Sequence, residues 1–125
     1  MPQTPVVFFK EDDGGVPLLD WLHRIPRKAA AKCIVAIERL HEMGHELRRP
    51  EADLLRDGIH ELRVGLQGIH YRMLYFFDGK TAIVLSHGLT KERVVPPREI
   101  DLAIRRRATY LANRQRHTFE REYPG

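Results

Sequence analysis

The strongest constraint on the fold is a run of three segments in which apolar and polar residues alternate with a period of two. The three segments cover residues 59–64, 69–77 and 81–87. Because successive side chains of a β-strand point to opposite faces, this period indicates strands rather than helices. Asp78-Gly79 lies between the last two segments and favours a two-residue hairpin turn, while Gly65 and Gly68 bracket the other turn. The pattern predicts three consecutive antiparallel strands.

Helical spacing of apolar residues flanks the predicted strands on both sides. Val6–Phe9 is a short apolar segment typical of a further strand, and Pro17 suits the first turn of a helix predicted over about residues 16–24. A longer helix is predicted from Pro26 to a stop at Gly44. Its apolar stripe consists of Ala30, Cys33, Ile34, Ile37 and Leu40. Pro96-Pro97 opens a C-terminal helix, and the apolar side of that helix carries Ile100, Ile104 and Leu111.

The predicted order of elements is therefore β-α-α-β-β-β-α. This order describes an α+β domain in which two N-terminal helices and one C-terminal helix pack on a mostly antiparallel sheet. A chain of 125 residues suits one domain with one core. We predict a single domain over residues 1–125, with a basic tail over about residues 112–125.

Composition excludes several classes of protein. With 42% hydrophobic and 30% charged residues, the chain is expected to be globular rather than disordered. Its apolar runs are far shorter than the ~20 residues of a membrane span, and residues 1–5 lack the order of a signal peptide. We therefore expect a cytoplasmic protein that has no membrane partner. The single cysteine, Cys33, excludes an intrachain disulfide and is expected to be a buried thiol.

Residues 41–45 read His-Glu-Met-Gly-His and match a zinc-binding pattern that needs both histidines on one face of a helix. However, Gly44 is predicted to end the helix inside this motif, and the polar segment that follows offers no third ligand. We therefore predict no metal site and no cofactor. His41 and His45 are expected to be exposed on the last helical turn, where protonation is mildly favourable.

Side chains that could carry chemistry share one face of the predicted sheet. On the middle strand the core face consists of Ile69, Tyr71, Met73, Tyr75 and Phe77. The opposite face consists of His70, Arg72, Leu74 and Phe76. On the preceding strand, Glu61 and Arg63 point away from Leu62 and Val64. An antiparallel register can thus bring Glu61, Arg63, His70 and Arg72 to one surface, although an ordinary Glu–Arg pair on a solvated sheet explains the spacing equally well.

Such a surface suits RNA cleavage without a metal. The 2′-hydroxyl must lose a proton to attack its own phosphorus, and the leaving 5′-oxygen must gain one. Arginine binds the oxygens of the crowded phosphorane bidentately, whereas histidine or glutamate can transfer protons. Lys91 and Arg93 lie just beyond the last predicted strand and could stabilise the negative charge of the phosphorane from the same edge. The catalytic candidates are Arg72, Arg63, Lys91, His70 and Glu61.

The charge distribution adds a second indication. The net charge of +4 weakly favours a polyanionic partner. Residues 105–116 contain five arginines and no acidic residue. This segment is either a solvated helix end or a footprint for RNA phosphate or an acidic protein partner. The RNA-binding candidates are Arg93, Arg98, Arg105 and Arg106.

The middle of the chain resembles the phage-derived, HigB-like branch of the RelE toxin superfamily. Residues 55–63 resemble the family's L-x-D-G-I/L-x-E-L-R pattern, and residues 70–76 resemble its Y-R-x-x-Y-F strand. Residues 85–91 resemble L-x-H-G-F-x-K, and residues 97–100 resemble the start of the family's last helix. The resemblance covers about residues 6–111.

This resemblance implies a RelE-like fold and a toxin that inhibits translation by cleaving mRNA on the ribosome. It also implies neutralisation by a cognate helix-turn-helix antitoxin in a hetero-oligomer. A phosphate-contacting role is implied for Arg72 first, and then for Arg63 and Lys91. His60 and His87 are further candidates for proton transfer, with a packing role favoured for His60.

The chain also departs from the family pattern. Glu92 and Arg93 stand where the family commonly has a second lysine followed by Thr or Ser, and Val95 replaces a usual lysine. These departures keep two alternatives open. One is a catalytically inactive binding module of the same fold that acts as a corepressor with its antitoxin, and the other is a phage accessory protein.

Overall fold

A computed structural model describes residues 3–90 and 93–120. The strands are β1 (Val6–Phe9), β2 (Ala52–Arg56), β3 (Ile59–Leu66), β4 (Ile69–Asp78), β5 (Ala82–Thr90) and β6 (Thr118–Glu120). The helices are α1 (Pro17–Arg24), α2 (Arg27–Met43) and α3 (Pro97–Ala112), and a short 3₁₀ turn over Gly44–Glu46 follows α2. The structure confirms the predicted α+β class and is consistent with a RelE-like fold, while β2 and β6 were not predicted.

The sheet has six strands in the order β2-β3-β4-β5-β1-β6. Neighbouring strands pair antiparallel from β2 through β5, and β6 pairs antiparallel with β1. β1 pairs parallel with β5. Between these two strands the chain forms α1, α2 and the strands β2, β3 and β4. The predicted hairpins therefore form the centre of the sheet, and β2 and β6 form its edges.

Each face of the sheet buries its own core, as the alternation along β4 requires. Tyr71, Met73 and Tyr75 pack with α1 and α2 on one face, in agreement with the predicted core face. Leu74 and Phe76 lie on the other face and pack against α3. Because α3 covers only this part of the second face, the start of β4 stays uncovered there, and His70 is exposed.

Two helical faces differ from the prediction. The buried residues of α2 are Ala29, Cys33, Ile37 and Leu40, so Ala29 replaces Ala30 in the stripe and Ile34 lies at its margin. In α3, Leu111 is 44% exposed, whereas Tyr110 is buried and its hydroxyl donates to Asp78. The buried stripe of α2 keeps the predicted Cys33, Ile37 and Leu40, whereas the buried face of α3 is shifted by one residue toward Ala103 and Tyr110. The Cys33 thiol is buried as predicted, and burial raises its pKa to about 12.

Part of the predicted basic tail over residues 112–125 is folded. Thr118–Glu120 forms β6 on β1, and the buried His117 ring stacks on Phe9 at 5.5 Å between ring centroids. A three-residue strand is too short to show an alternating pattern, so the sequence carried no signal for it. No helix in the described ranges 3–90 and 93–120 is long and apolar enough to cross a membrane.

The C-terminal end of β5 is fixed against α1. The Trp21 indole Nε1 donates to the Thr90 hydroxyl at 2.9 Å, and its ring lies over Gly88. A Cβ atom at Gly88 would lie only 2.1 Å from the Trp21 ring, so no larger residue fits there without displacing the indole. This contact fixes the point from which the chain leaves the sheet toward Arg93.

Candidate active site

The register of β3 and β4 builds the site. Arg63 lies directly opposite Arg72, Glu61 lies opposite Leu74, and His70 lies opposite Gly65. Glu61, Arg63 and Arg72 share hydrogen bonds on the α3 face of the sheet, as the alternation predicted. The structure therefore brings the two arginines and the carboxylate together.

Glu61 is the centre of this cluster and is only 1% exposed. Its Oε2 atom accepts hydrogen bonds from Arg63 Nε at 3.0 Å and Nη2 at 2.8 Å, and its Oε1 atom accepts one from Arg72 Nη1 at 2.8 Å. A buried carboxylate is tolerated when cations and hydrogen bonds balance its charge. Glu61 thus holds the two guanidinium groups side by side, and both of its oxygens are occupied.

The two arginines differ in how open they are. The Arg72 side chain is 13% exposed, and its Nη2 atom donates to the backbone carbonyl of Arg93 at 2.7 Å. Arg72 Nε is buried and has no hydrogen-bond partner within the described part of the chain. The Arg63 side chain is 37% exposed. Arg63 therefore presents the more accessible guanidinium, and Arg72 ties the sheet to the segment after β5.

The unpredicted edge strand β2 extends the cluster. Asp53 Oδ2 accepts hydrogen bonds from Arg63 Nη2 at 3.2 Å and lies 3.0 Å from Arg49 Nη2. The hydrogen bond from Arg49 is the main cause of a lowered pKa at Asp53. Three arginines thus surround two carboxylates, so the cluster carries a net positive charge.

The arginines open into a surface groove of about 550 Å³. We call it the arginine groove; its lining includes Asp53, Glu61, Arg63, His70, Arg72 and Arg93. His70 and Arg93 are exposed at its rim. Val94, which is 77% exposed, adds an apolar surface beside them. Lys91, a predicted catalytic residue, and Glu92 lie outside the described residues.

The arginine-rich segment over residues 105–116 is mostly engaged within the fold. Arg106 is 17% exposed, pairs with Glu11 at 3.0 Å and lies over the Phe9 ring, so its guanidinium is engaged within the fold. Arg107 donates to the Asp57 carbonyl, Arg114 pairs with Asp78, and Arg116 pairs with Asp12. These contacts attach α3 and its C-terminal extension to loops that are distant in sequence, which no local pattern could reveal.

The remaining predicted RNA-binding residues differ in position. Arg98 and Arg105 are exposed on α3, but neither lines the arginine groove. Arg98 Nε lies 3.5 Å from Glu99 Oε2. Arg93 is the one of the four candidates that lies at the groove.

Two histidine candidates are held away from the arginine groove. His87 is buried; its Nδ1 lies 2.7 Å from the Ser86 hydroxyl and its Nε2 lies 3.0 Å from Glu99. Burial is the main cause that lowers the pKa of His87 to about 4. His60 lies on the opposite sheet face and stacks on Tyr75 at 5.1 Å, in agreement with the packing role favoured from its position.

The His-Glu-Met-Gly-His motif is divided between two elements. α2 ends at Met43, Gly44 has a φ of 53°, and His45 follows in the 3₁₀ turn. His41 is half-buried with Nδ1 at 2.8 Å from the Thr4 carbonyl, so exposure of both histidines on the last helical turn was a wrong prediction. Within the ranges 3–90 and 93–120, no group of three or more His, Cys, Asp or Glu residues could hold a metal ion.

Comparison with known proteins identifies one family. Residues 20–108 match the family model described as Phage derived protein Gp49-like (DUF891). This range extends from α1 into α3 and contains Glu61, Arg63, His70 and Arg72. No curated protein matches the chain.

Proposed function

Because the chain belongs to the phage-derived Gp49-like family, we propose that it is the toxin of a type II toxin–antitoxin system. In this proposal it is a RelE/HigB-like endoribonuclease that cleaves mRNA on the ribosome without a metal and so inhibits translation. The observation that carries the proposal is the pairing of Arg63 and Arg72 across β3 and β4 at an open groove. Two adjacent guanidinium groups match the spread of negative charge on a phosphorane.

The proposed reaction is an in-line transesterification at one phosphate. The 2′-oxygen forms a bond to the neighbouring phosphorus while the bond from phosphorus to the 5′-oxygen breaks. One proton leaves the 2′-hydroxyl and one proton joins the 5′-oxygen, so the products are a 2′,3′-cyclic phosphate and a 5′-hydroxyl. Charge builds on the equatorial phosphate oxygens in between, and arginine donors already fixed in place stabilise it without reorganisation.

Arg63 is the residue best placed to receive the phosphate, because its side chain is 37% exposed. Arg72 is held by Glu61 and by the Arg93 carbonyl, so it acts from the floor of the groove. Lys91 is a proposed further source of positive charge on the segment between Thr90 and Arg93. The net positive charge of the cluster attracts the negatively charged phosphates of RNA.

Proton transfer falls to His70 rather than Glu61. Both oxygens of Glu61 accept hydrogen bonds from guanidinium groups and the residue is buried, so it is a positioning residue. His70 is exposed at the rim of the groove beside Arg63 and Arg72. Histidine commonly acts as a general acid or base near neutral pH.

The proposed partners are mRNA on the ribosome and a cognate helix-turn-helix antitoxin that forms a hetero-oligomer with the toxin and neutralises it. The family and the sequence patterns quoted above support these partners. A cytoplasmic location follows from them, because ribosomes and mRNA are there. The open groove is the surface that such an antitoxin has to block or distort.

A second function is favoured by one observation. Arg72 uses Nη1 and Nη2 within the protein, and Glu61 is sealed between the arginines, as in a cross-strand ion pair that serves stability alone. On this basis the alternative is a catalytically inactive module of the same fold that acts with an antitoxin as a corepressor, or a phage accessory protein.

His70→Ala separates the two functions, because His70 is exposed and the substitution should leave the ion pairs intact. Growth and newly formed mRNA 5′ ends are measured after induction of the wild type, His70→Ala and the matched control His23→Ala, which changes an exposed histidine on α1. We expect growth arrest and new 5′ ends for wild type and control, and at least a hundredfold loss of cleavage for His70→Ala. Stable expression of the wild type with no new 5′ ends would refute the nuclease and favour the inactive module.

A further inference from the structure

A second cavity lies across the β2 edge from the arginine groove. It has a volume of about 470 Å³ and is lined by His45, Leu47, Arg48, Arg49, Ala52, Asp53, Leu54 and His60. Asp53 lines both this cavity and the arginine groove, so the two are contiguous around the edge strand. The Asp53 carboxylate pairs with Arg49 on one side and with Arg63 on the other. These ion pairs offset the repulsion that the carboxylate would exert on a phosphate backbone passing between the two cavities.

Two residues that line the cavity, His45 and His60, belong to a stack of flat rings. The His45 ring lies parallel to Phe77 with ring centroids 3.6 Å apart, and the His60 ring meets Phe77 edge-on at 5.1 Å. His60 also stacks on Tyr75. We call His45, His60, Phe77 and Tyr75 the ring platform. His45 is exposed at its outer end, so one ring face is covered by Phe77 while the residue borders open solvent.

Two arginines line the cavity beside the platform. Arg48 and Arg49 are exposed on the segment before β2, and the Arg49 side chain is 75% exposed. Burial and the neighbouring His45 lower the pKa of His60, so its imidazole is a neutral ring near pH 7. Flat rings beside exposed arginines are the combination with which proteins bind unpaired nucleobases and their phosphates.

We propose that the ring platform is a second RNA subsite, at which one unpaired base of a single-stranded RNA stacks on the outer face of His45. Arg48 and Arg49 contact the flanking phosphates, and the strand passes around β2 into the arginine groove. This subsite rests on the proposed nuclease function and extends the RNA contact beyond the reacting phosphate. It does not require cleavage, since binding at the platform uses none of the proposed catalytic side chains.

The test uses the full chain and a short single-stranded RNA whose 2′-hydroxyls are methylated, so that it binds without being cut. The strand carries a fluorescent end label for anisotropy and, in a second series, 2-aminopurine at successive positions, because its fluorescence falls when the base stacks. His45→Ala removes the outer ring. His45→Phe keeps a flat ring without a titratable nitrogen, and His23→Ala is the matched control.

We expect His45→Ala to raise the dissociation constant about tenfold, a change typical of losing one base–aromatic stack, and to abolish the quenching at one position. His45→Phe should stay within about threefold of the wild type, and His23→Ala should not differ from it. Circular dichroism checks that each variant is folded. Equal binding by His45→Ala and wild type, an equal loss for His45→Phe, or no RNA binding by the wild type would each overturn the subsite.

The outcome is distinguishable from that of the nuclease. Loss of quenching in His45→Ala without any cleavage of unmodified mRNA by the wild type would support the subsite and refute the enzyme. Cleavage that depends on His70 but not on His45, with unchanged binding, would refute the subsite alone. Unchanged RNA binding combined with loss of binding to a co-expressed protein in His45→Ala would overturn the RNA proposal and assign the platform to a protein partner.

Discussion

Replacing Arg72 with alanine should lower the free energy of unfolding by about 3 kcal/mol. The substitution removes one charge-assisted hydrogen bond to Glu61, worth roughly 1.5–3 kcal/mol, and the bond from Nη2 to the Arg93 carbonyl. It also leaves Oε1 of a carboxylate that is 1% exposed without that donor. Breaking a buried ion pair costs about 3–5 kcal/mol, and the value here is at the low end because Arg63 still binds Oε2.

The measurement is urea denaturation at neutral pH, together with thermal unfolding followed by circular dichroism. For a chain of 125 residues, a loss of about 3 kcal/mol corresponds to a decrease in Tm of roughly 10 °C. The control is Arg105→Ala, which shortens an arginine that is exposed on α3 and should change the stability by about 0.5 kcal/mol or less.

A double-mutant cycle with Glu61→Gln assigns the loss to the pair. Glutamine keeps the shape of Glu61 but removes the buried charge that Arg72 neutralises. The combined variant should therefore lose less stability than the sum of the single variants, by about 1–3 kcal/mol. Additive effects, or a loss below about 1 kcal/mol for Arg72→Ala, would refute the argument that Glu61 and Arg72 are energetically coupled.

Two further predictions test the packing of β5. Gly88→Ala should destabilise the protein by several kcal/mol in the same urea experiment, because its Cβ would lie 2.1 Å from the Trp21 ring. The control Gly65→Ala should be nearly neutral, because the space around its Cβ is open. Equal effects of the two substitutions would contradict this reasoning. The pKa of His87 is lowered from 6.5 to about 4, so the unfolded chain takes up a proton at higher pH than the folded one, and stability should fall as the pH decreases from about 6.5 toward 4. His87→Gln should reduce that slope, and a variant as sensitive to pH as the wild type would argue against a buried neutral imidazole.

The coupling of Arg72 to Glu61 affects how the proposed activity is tested. A loss of toxicity in Arg72→Ala has two sources, since the same substitution removes a phosphate donor and weakens the fold. His70 carries no such ambiguity because it is exposed and no ion pair of the described residues includes it. The variant Arg63→Lys lies between these two variants in how far it disturbs the fold. It keeps the positive charge beside Glu61 but loses the forked donor geometry of the guanidinium.

The sequence by itself determined the two faces of β4 and the class of the fold. The alternation that separates Tyr71 and Met73 from His70 and Arg72 is a local property of an extended chain. It can therefore be recognised without knowing which strands pair with β4. The hairpin turns are local in the same sense. Asp57-Gly58 even carried the signal for the missed β2–β3 hairpin, since both residues have the positive φ values that such a turn requires.

Only the tertiary structure decided which charged side chains remain available to a ligand. Arg106 and Arg93 look alike in the sequence, yet Arg106 packs on Phe9 and pairs with Glu11, while Arg93 stays at the rim of the groove. The sequence makes Glu61 a candidate for proton transfer, and only the structure shows that both of its carboxylate oxygens accept hydrogen bonds from arginine. These outcomes depend on contacts between residues far apart in the chain, and the energy of such ion pairs is set by the burial that the whole fold creates.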